Sequence, residues 1–403
     1  MSLNKINQHL SDHVKDLADK GVAKGNEKIV TGVIPANDGF SERYLLQGYG
    51  DRAFLRMNSN SYLGLSMHPE IIAAESQCAE TMGTGPGAVR FISGTYQNHV
   101  ELENKLARFH GREAGMIMSA AYATVMGVLP QFITEETLVI SDALNHNCII
   151  NAIRLARPAD KAVYAHLNMT ELDKILEESK GRFKRVCVVT DGIFSMRGDH
   201  APLDKIVYIC KQHEVNFEEG IISIVDDSHG VGAFGNTGRG TEEYTNASAD
   251  ILIATLGKAL GVNGGYVVSN KSVIDYLRET APFYIYSNPI TPAEAAAALQ
   301  SLKILDSKAG LNLLEHMRSM AIRLRDGLNK LGFEIIEGDH PIVPVLIRDT
   351  EKTSVLVKHL FDNNVLVTGL NYPVVPKGEE EIRLQVSANH TGKDIDYLLG
   401  LLN

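Results

Sequence analysis

The chain has 403 residues, 44% hydrophobic and 22% charged, ordinary for a globular protein and too long for one compact core. Its net charge of -10 offers no basic face for nucleic acid, and no run approaches the roughly 20 apolar residues of a membrane span. Four cysteines (Cys78, Cys148, Cys187, Cys210) lack any C-x-x-C or metal-ligand spacing, so the expectation is a metal-free cytoplasmic protein with buried thiols.

The N-terminus is polar and amphipathic, unlike a signal peptide. Ile6, Leu10, Val14 and Leu17 predict a one-faced helix over 4–20, whose stripe must dock on the body or on a partner chain. Residues 21–50 read as irregular. A strand at 53–57 precedes the polar loop Asn58–Gly64 and a helix over 69–82. The glycines at 83–87 do not have nucleotide-loop spacing. A helix over 99–110 and a strand over 114–119 lead to Ser119-Ala120-Ala121-Tyr122, small residues opening a helix. Free N–H groups there suit a phosphate, with Tyr122 placed to close over a ring.

From 137 the pattern alternates. Strands are predicted at 137–141, 161–165, 185–190, 221–225, 251–254 and 264–269, with helices at 147–156, 170–180, 203–213 and 271–280. Such alternation predicts an α/β fold, a mostly parallel central sheet with helices on both faces. Pro282, Pro289 and Pro292 break the chain into a loop, the expected boundary to a smaller domain. Beyond them come helices at 293–306, 310–332, 351–363 and 393–402 and strands at 334–337, 342–347, 365–368 and 382–387. The expected division is an N-terminal helix and arm (1–56), a large α/β domain (57–290) and a smaller C-terminal α+β domain (291–403).

Polar clusters follow several strands: Asp142 to His146, Asp191 to Met196, Asp226-Asp227-Ser228-His229 and Thr255-Leu256-Gly257-Lys258. Ligands of such sheets sit beyond the carboxyl ends of the strands. A lysine among glycines and beside a carboxylate is what a pyridoxal phosphate (PLP) enzyme needs. The amine carries the cofactor as a Schiff base, and the carboxylate keeps the pyridine nitrogen protonated. On these clusters alone, a solvated Lys258 and a strand-capping Asp226 fit equally well, and His146 reads as a surface histidine.

ISDALNH (140–146), TDGIFSM (190–196), VDDSHGVG (225–232), GRG (238–240), TLGKALG (255–261) and YPVVPKG (372–378) occur in that order. Together they resemble the motifs of the α-oxoamine synthases, a family of fold-type-I PLP-dependent transferases, over nearly the whole chain. The resemblance implies Lys258 as the Schiff-base lysine, Thr255 at the phosphate, Asp226 under the pyridine nitrogen and His229 near the phenolic oxygen. It implies His146 on the ring face, Ala121 and Tyr122 at the phosphate and ring, and Ser195 near the phenolic oxygen. Asn60 and Arg383 match the substrate-binding positions, with Arg383 on the amino acid's carboxylate. Ser287 matches a residue that reaches the phosphate from the partner subunit of a homodimer with shared active sites.

The implied reaction is a Claisen condensation of glycine, or another small amino acid, with an acyl-CoA. Acetyl-CoA, giving 2-amino-3-ketobutyrate, is the foremost donor. A longer acyl donor, as in biotin or sphingoid-base synthesis, is the alternative, with a plain aminotransferase further off. Four features depart from the family pattern: Val125 for asparagine, Arg197 for aspartate, Pro289 for a small polar residue, and about five extra residues at Asn216–Gly220.

Overall fold

The computed structural model describes residues 3–20, 23, 27–372 and 375–403. Pro373 and Val374 of the YPVVPKG segment lie outside the described residues.

A seven-stranded sheet forms the centre. From one edge its strands are Ala114–Met118, Gly265–Ser269, Ile251–Thr255, Ile221–Asp226, Arg185–Asp191, Thr137–Asp142 and Asp160–Tyr164. All pair in parallel except Gly265–Ser269, which runs antiparallel to both its neighbours. The expectation of a mostly parallel sheet holds. The exception follows from the short link between Thr255 and Gly265, which cannot contain the dozen or more residues of a parallel crossover.

Consecutive residues of each central strand feed opposite faces of the sheet. Val188, Val225 and Leu252 pack with helices Leu203–His213 and Pro292–Leu305 on one face. Val189, Ile224 and Ile253 pack with helices Ala121–Phe132 and Asn147–Ala156 on the other. Burial on both faces explains why these strands read as unbroken apolar runs.

A four-stranded antiparallel sheet, ordered Glu334–Ile335, Ile342–Leu346, Glu381–Gln385, Thr368–Leu370, forms a second layer. Its core joins Val343, Ile382 and Leu384 to Ile395 and Leu398 of helix Gly392–Leu402, and also takes in Leu55 and Met57. Helix Lys308–Lys330 spans the two cores, giving Leu314 and Met317 to the large one and Ala321 and Leu324 to the small one.

Three local expectations are corrected. The strand predicted at 365–368 is two pieces, Val365–Leu366 and Thr368–Leu370, because Val365 and Leu366 pair with Leu55 and Arg56 instead of the second sheet. Residues 21–50, read as irregular, contain an antiparallel pair, Val30–Ile34 with Arg43–Leu46. The stretch between Pro282 and Pro289 holds a short helix, Pro282–Ile285. The N-terminal helix Leu3–Asp19 forms as predicted, but Leu3, Ile6, Leu10 and Val14 are exposed. Among the described residues no helix is long and apolar enough to cross a membrane.

Candidate active site

The strands Thr137–Asp142, Arg185–Asp191, Ile221–Asp226 and Ile251–Thr255 are adjacent and parallel, so their polar sequels gather at one edge. After Ile251–Thr255 the chain turns tightly. The Thr255 hydroxyl donates to the Gly264 carbonyl (3.1 Å) and accepts from Gly257 N (3.0 Å). Gly261 has φ +70°, and a Cβ there would lie 2.4 Å from Ser66 N, so only glycine fits. Lys258 is thereby held half-buried in a cleft of about 600 Å³ that Asn60 also lines. Burial lowers its ammonium pKa below the usual lysine value, against the pull of Asp226 and Asp191.

Asp226 and Asp227 do different work because adjacent residues point apart. Asp226 Oδ1 accepts from Ser228 N (3.1 Å) and Ser228 Oγ (2.5 Å), and Oδ2 lies 3.7 Å from Cys148 Sγ. Asp227 faces away and accepts from Thr241 N (2.6 Å) and Thr241 Oγ1 (2.8 Å). Three motif glycines close around it: a Cβ on Gly192, Gly230 or Gly240 would sit within 2.1 Å of its carboxylate oxygens. Burial raises Asp227 to about 6. The glycines of TDG, SHG and GRG thus share one structural cause, a buried carboxylate behind the site.

Asn145 pins the loop before His146. Its Nδ2 donates to Ser141 Oγ (2.9 Å) and the Val189 carbonyl (2.8 Å), and its Oδ1 accepts from Asp191 N (2.8 Å). The His146 backbone N–H donates to Asp191 Oδ2 at 2.8 Å. His146 caps helix Asn147–Ala156, its Nδ1 accepting from Cys148 N (3.3 Å) with Cys148 Sγ at 2.9 Å. A ring nitrogen that accepts carries no proton, so neutral His146 holds its proton on Nε2. Its pKa is lowered, first by desolvation, and Asp226 and Lys258 are close enough to act on it.

Tyr122 is exposed, edge-on to His146 with ring centroids 6.4 Å apart, and donates to Asn147 Oδ1 (3.0 Å). Ala121 opens helix Ala121–Phe132, whose first N–H groups have no side-chain cap. His229 is buried, with Nδ1 2.7 Å from the Tyr62 hydroxyl, while its carbonyl accepts from His340 Nε2 (2.8 Å). Burial first, then Lys258 and Arg383, hold His229 well below its ordinary value. Arg383, on strand Glu381–Gln385 of the second layer, reaches across to Asn60 Oδ1 at 3.4 Å. Its Nε is buried with no partner among the described residues.

A second cleft of about 550 Å³ is lined by His146, Asp191, Ser195, Arg197 and Glu381 together with apolar Leu144, Phe194, Met196 and Leu346. Lys258, Asp226, Thr255, His146, His229, Ser195, Asn60 and Arg383 therefore frame this one edge. Ser287 does not join them: it is half-buried between Pro282–Ile285 and Pro292–Leu305, beside Tyr286, which is 78% exposed. Sequence reasoning gave no site role to Tyr62, Cys148, Asp191 and Glu381, all buried around the same groups.

The departures also find places. Val125 is core, Arg197 donates to Asp199 Oδ2 (2.8 Å), and Pro289 is buried. The extra residues Asn216–Gly220 precede the amino end of strand Ile221–Asp226, opposite the site.

These residues fit PLP. A half-buried amine beside a fixed carboxylate, an uncapped helix N-terminus and a guanidinium N–H unpartnered among the described residues supply donors and charges for its ring, phosphate and substrate. Residues 52–402 match the model of the family described as aminotransferase class I and II, and the chain belongs to that family. It is 38% identical to an 8-amino-7-oxononanoate synthase of Thermosipho melanesiensis over 347 residues, 86% of each chain. It is 39% identical to the mitochondrial 2-amino-3-ketobutyrate coenzyme A ligase of Bos taurus over 342 residues, 84% of this chain and 79% of the relative. A serine palmitoyltransferase of Sphingomonas wittichii superposes with a TM-score of 0.88 at 27% identity, covering 99% of this chain and 96% of the other. The fold is that of the fold-type-I PLP transferases, and within them these relatives are those of an α-oxoamine synthase, a PLP-dependent acyltransferase.

Proposed function

We propose that this enzyme condenses glycine with acetyl-CoA, giving 2-amino-3-ketobutyrate and free coenzyme A. The observation that carries the reading is Lys258, an amine depressed by burial, close to the Asp226 carboxylate and to Arg383, whose Nε has no partner among the described residues. The likeness to the ligase and the motif segments support glycine and acetyl-CoA.

PLP, when bound, supplies an electron sink for negative charge at the amino acid's Cα. Lys258, Asp226, His146, His229, Ser195, Thr255, Ala121 and Tyr122 would hold it, with Ser287 contributed by the partner of a homodimer. Lys258 has a second task once substrate is present. Its lowered pKa leaves more of the amine neutral near pH 7, ready to take the Cα proton as general base. Asp226 is kept in place by Ser228 N and Oγ, so it can hold a proton at the ring nitrogen. Arg383 offers a charge-assisted contact to the α-carboxylate, which orients the Cα–H bond, and Asn60 steadies the guanidinium. Tyr62 fixes the His229 ring and thereby the direction of its other nitrogen.

One observation favours a second reading. Leu144, Phe194, Met196 and Leu346 give the cleft of about 550 Å³ an apolar wall that a longer acyl chain would cover, which supports a longer acyl thioester. Thiol release with glycine and a graded series of acyl-CoA donors tests both. A maximum of kcat/KM at acetyl-CoA supports the first reading, and a maximum at longer chains the second. Release with no donor refutes both.

A further inference from the structure

Two segments build one wall of the cleft, and each is anchored by an aspartate. Asp142 ends strand Thr137–Asp142 and starts the loop bearing Asn145 and His146. Asp199 ends the turn that follows strand Arg185–Asp191 and carries Ser195. Between them stands His166, just past the edge strand Asp160–Tyr164. Its Nδ1 is 2.9 Å from Asp142 Oδ1 and its Nε2 is 3.2 Å from Asp199 Oδ2. Carboxylates only accept, and a neutral imidazole has a single N–H donor, so filling both contacts takes an imidazolium. The ring stands edge-on to Phe194 with centroids 4.4 Å apart, tying it to the same turn.

We propose that His166 is a positioning residue: as a doubly donating imidazolium it clips the Asn145–His146 loop to the Ser195 turn and sets the spacing of that wall. This rests on the reading of the cleft as the active site. The groups around it agree. Asp142 also accepts from Leu144 N (2.8 Å) and Leu167 N (3.0 Å), so its carboxylate is held in place beside His166. Arg197 Nε donates to the same Asp199 oxygen, Oδ2, that faces His166, and Glu171 of helix Met169–Glu178 is engaged with Ala165 N (2.7 Å). Tyr164 is buried nearby, with burial and then Asp142 raising its phenol. Burial opposes charge on His166, but hydrogen bonds to Asp142 and Asp199 outweigh it and raise the imidazole to about 9. The clip is therefore closed at neutral pH and opens as pH rises through about 9.

The primary test is an NMR titration of His166 in the protein with and without cofactor. The clip predicts both ring nitrogens protonated at pH 7.5 in either form, with deprotonation near 9. His166→Gln should weaken PLP binding roughly tenfold, the size of one lost charge-assisted contact. The clip predicts a fall in wild-type kcat/KM above pH 9, and His166→Gln should abolish it. If that variant does not fold, Asp199→Asn should move the His166 midpoint down by about one pH unit or more. A midpoint at or below 6.5, or a His166→Gln enzyme with unchanged cofactor affinity and pH profile, overturns the proposal. A His166 that titrates near 9 in a protein that releases thiol from no acyl-CoA leaves the clip standing and removes only the reaction.

Discussion

Glu381→Gln is the substitution whose size the structure sets most closely. Glu381 lies two residues before Arg383 on strand Glu381–Gln385, buried at the cleft wall, with Oε1 unpartnered among the described residues. Burial raises it from 4.5 to about 7, although Arg383 and Arg197 pull the other way. The folded chain thus holds this proton more tightly than the unfolded chain. Its contribution to stability is full below the unfolded value and is lost as pH rises through about 7. The gap corresponds to a penalty of about 3 kcal/mol above pH 7, already net of the two arginines. Glutamine has nearly the same volume and cannot ionise. In urea unfolding of the cofactor-free proteins, the variant should be more stable by about 3 kcal/mol at pH 8. Most of that difference should vanish by pH 5. Equal stability at pH 8, or a difference that grows toward acid, would refute the reasoning.

Asp226→Asn should leave stability within about 1 kcal/mol of wild type and cofactor bound, while turnover falls by roughly a hundredfold or more. Asp227→Ala should instead cost about 2–4 kcal/mol in urea unfolding, because Thr241 N–H and hydroxyl lose their buried acceptor. The reverse pattern would shift the site by one residue. Arg383→Lys should raise the glycine KM by an amount worth on the order of 2–4 kcal/mol and leave acyl-CoA dependence nearly unchanged. Equal damage to both substrates would make Arg383 structural. For the proposed homodimer, refolded mixtures of Lys258→Ala and Ser287→Glu chains should regain activity that neither has alone; self-contained sites would regain none.

The large sheet was legible because its central strands are buried on both faces, so Ile221 to Val225 and Ile251 to Ala254 stand out as apolar runs with polar sequels. Parallel pairing then brings those sequels together, and Lys258 and Asp226 followed. What was not legible depends on contacts far apart in sequence. The direction of Gly265–Ser269 turns on the length of a link, which alternation alone does not weigh. The strand expected at 382–387 begins at Glu381, and the burial of that carboxylate by its tertiary neighbours has no signal in the sequence. Tyr62 sits in a polar loop that resembles a surface turn, and only its packing on His229 and His340 shows its place. The motif glycines 192, 230 and 240 were visible as a pattern, but their reason, the Asp227 carboxylate, needs three loops at once.

The central claim is that Lys258 carries the cofactor. Borohydride reduction of the PLP-loaded protein, followed by proteolysis and peptide mapping, tests it directly. The label should fall on the peptide containing TLGKALG, at Lys258, and Lys258→Ala should purify without the visible band and take up no label. A label on another lysine, or a coloured and active Lys258→Ala protein, would contradict the account.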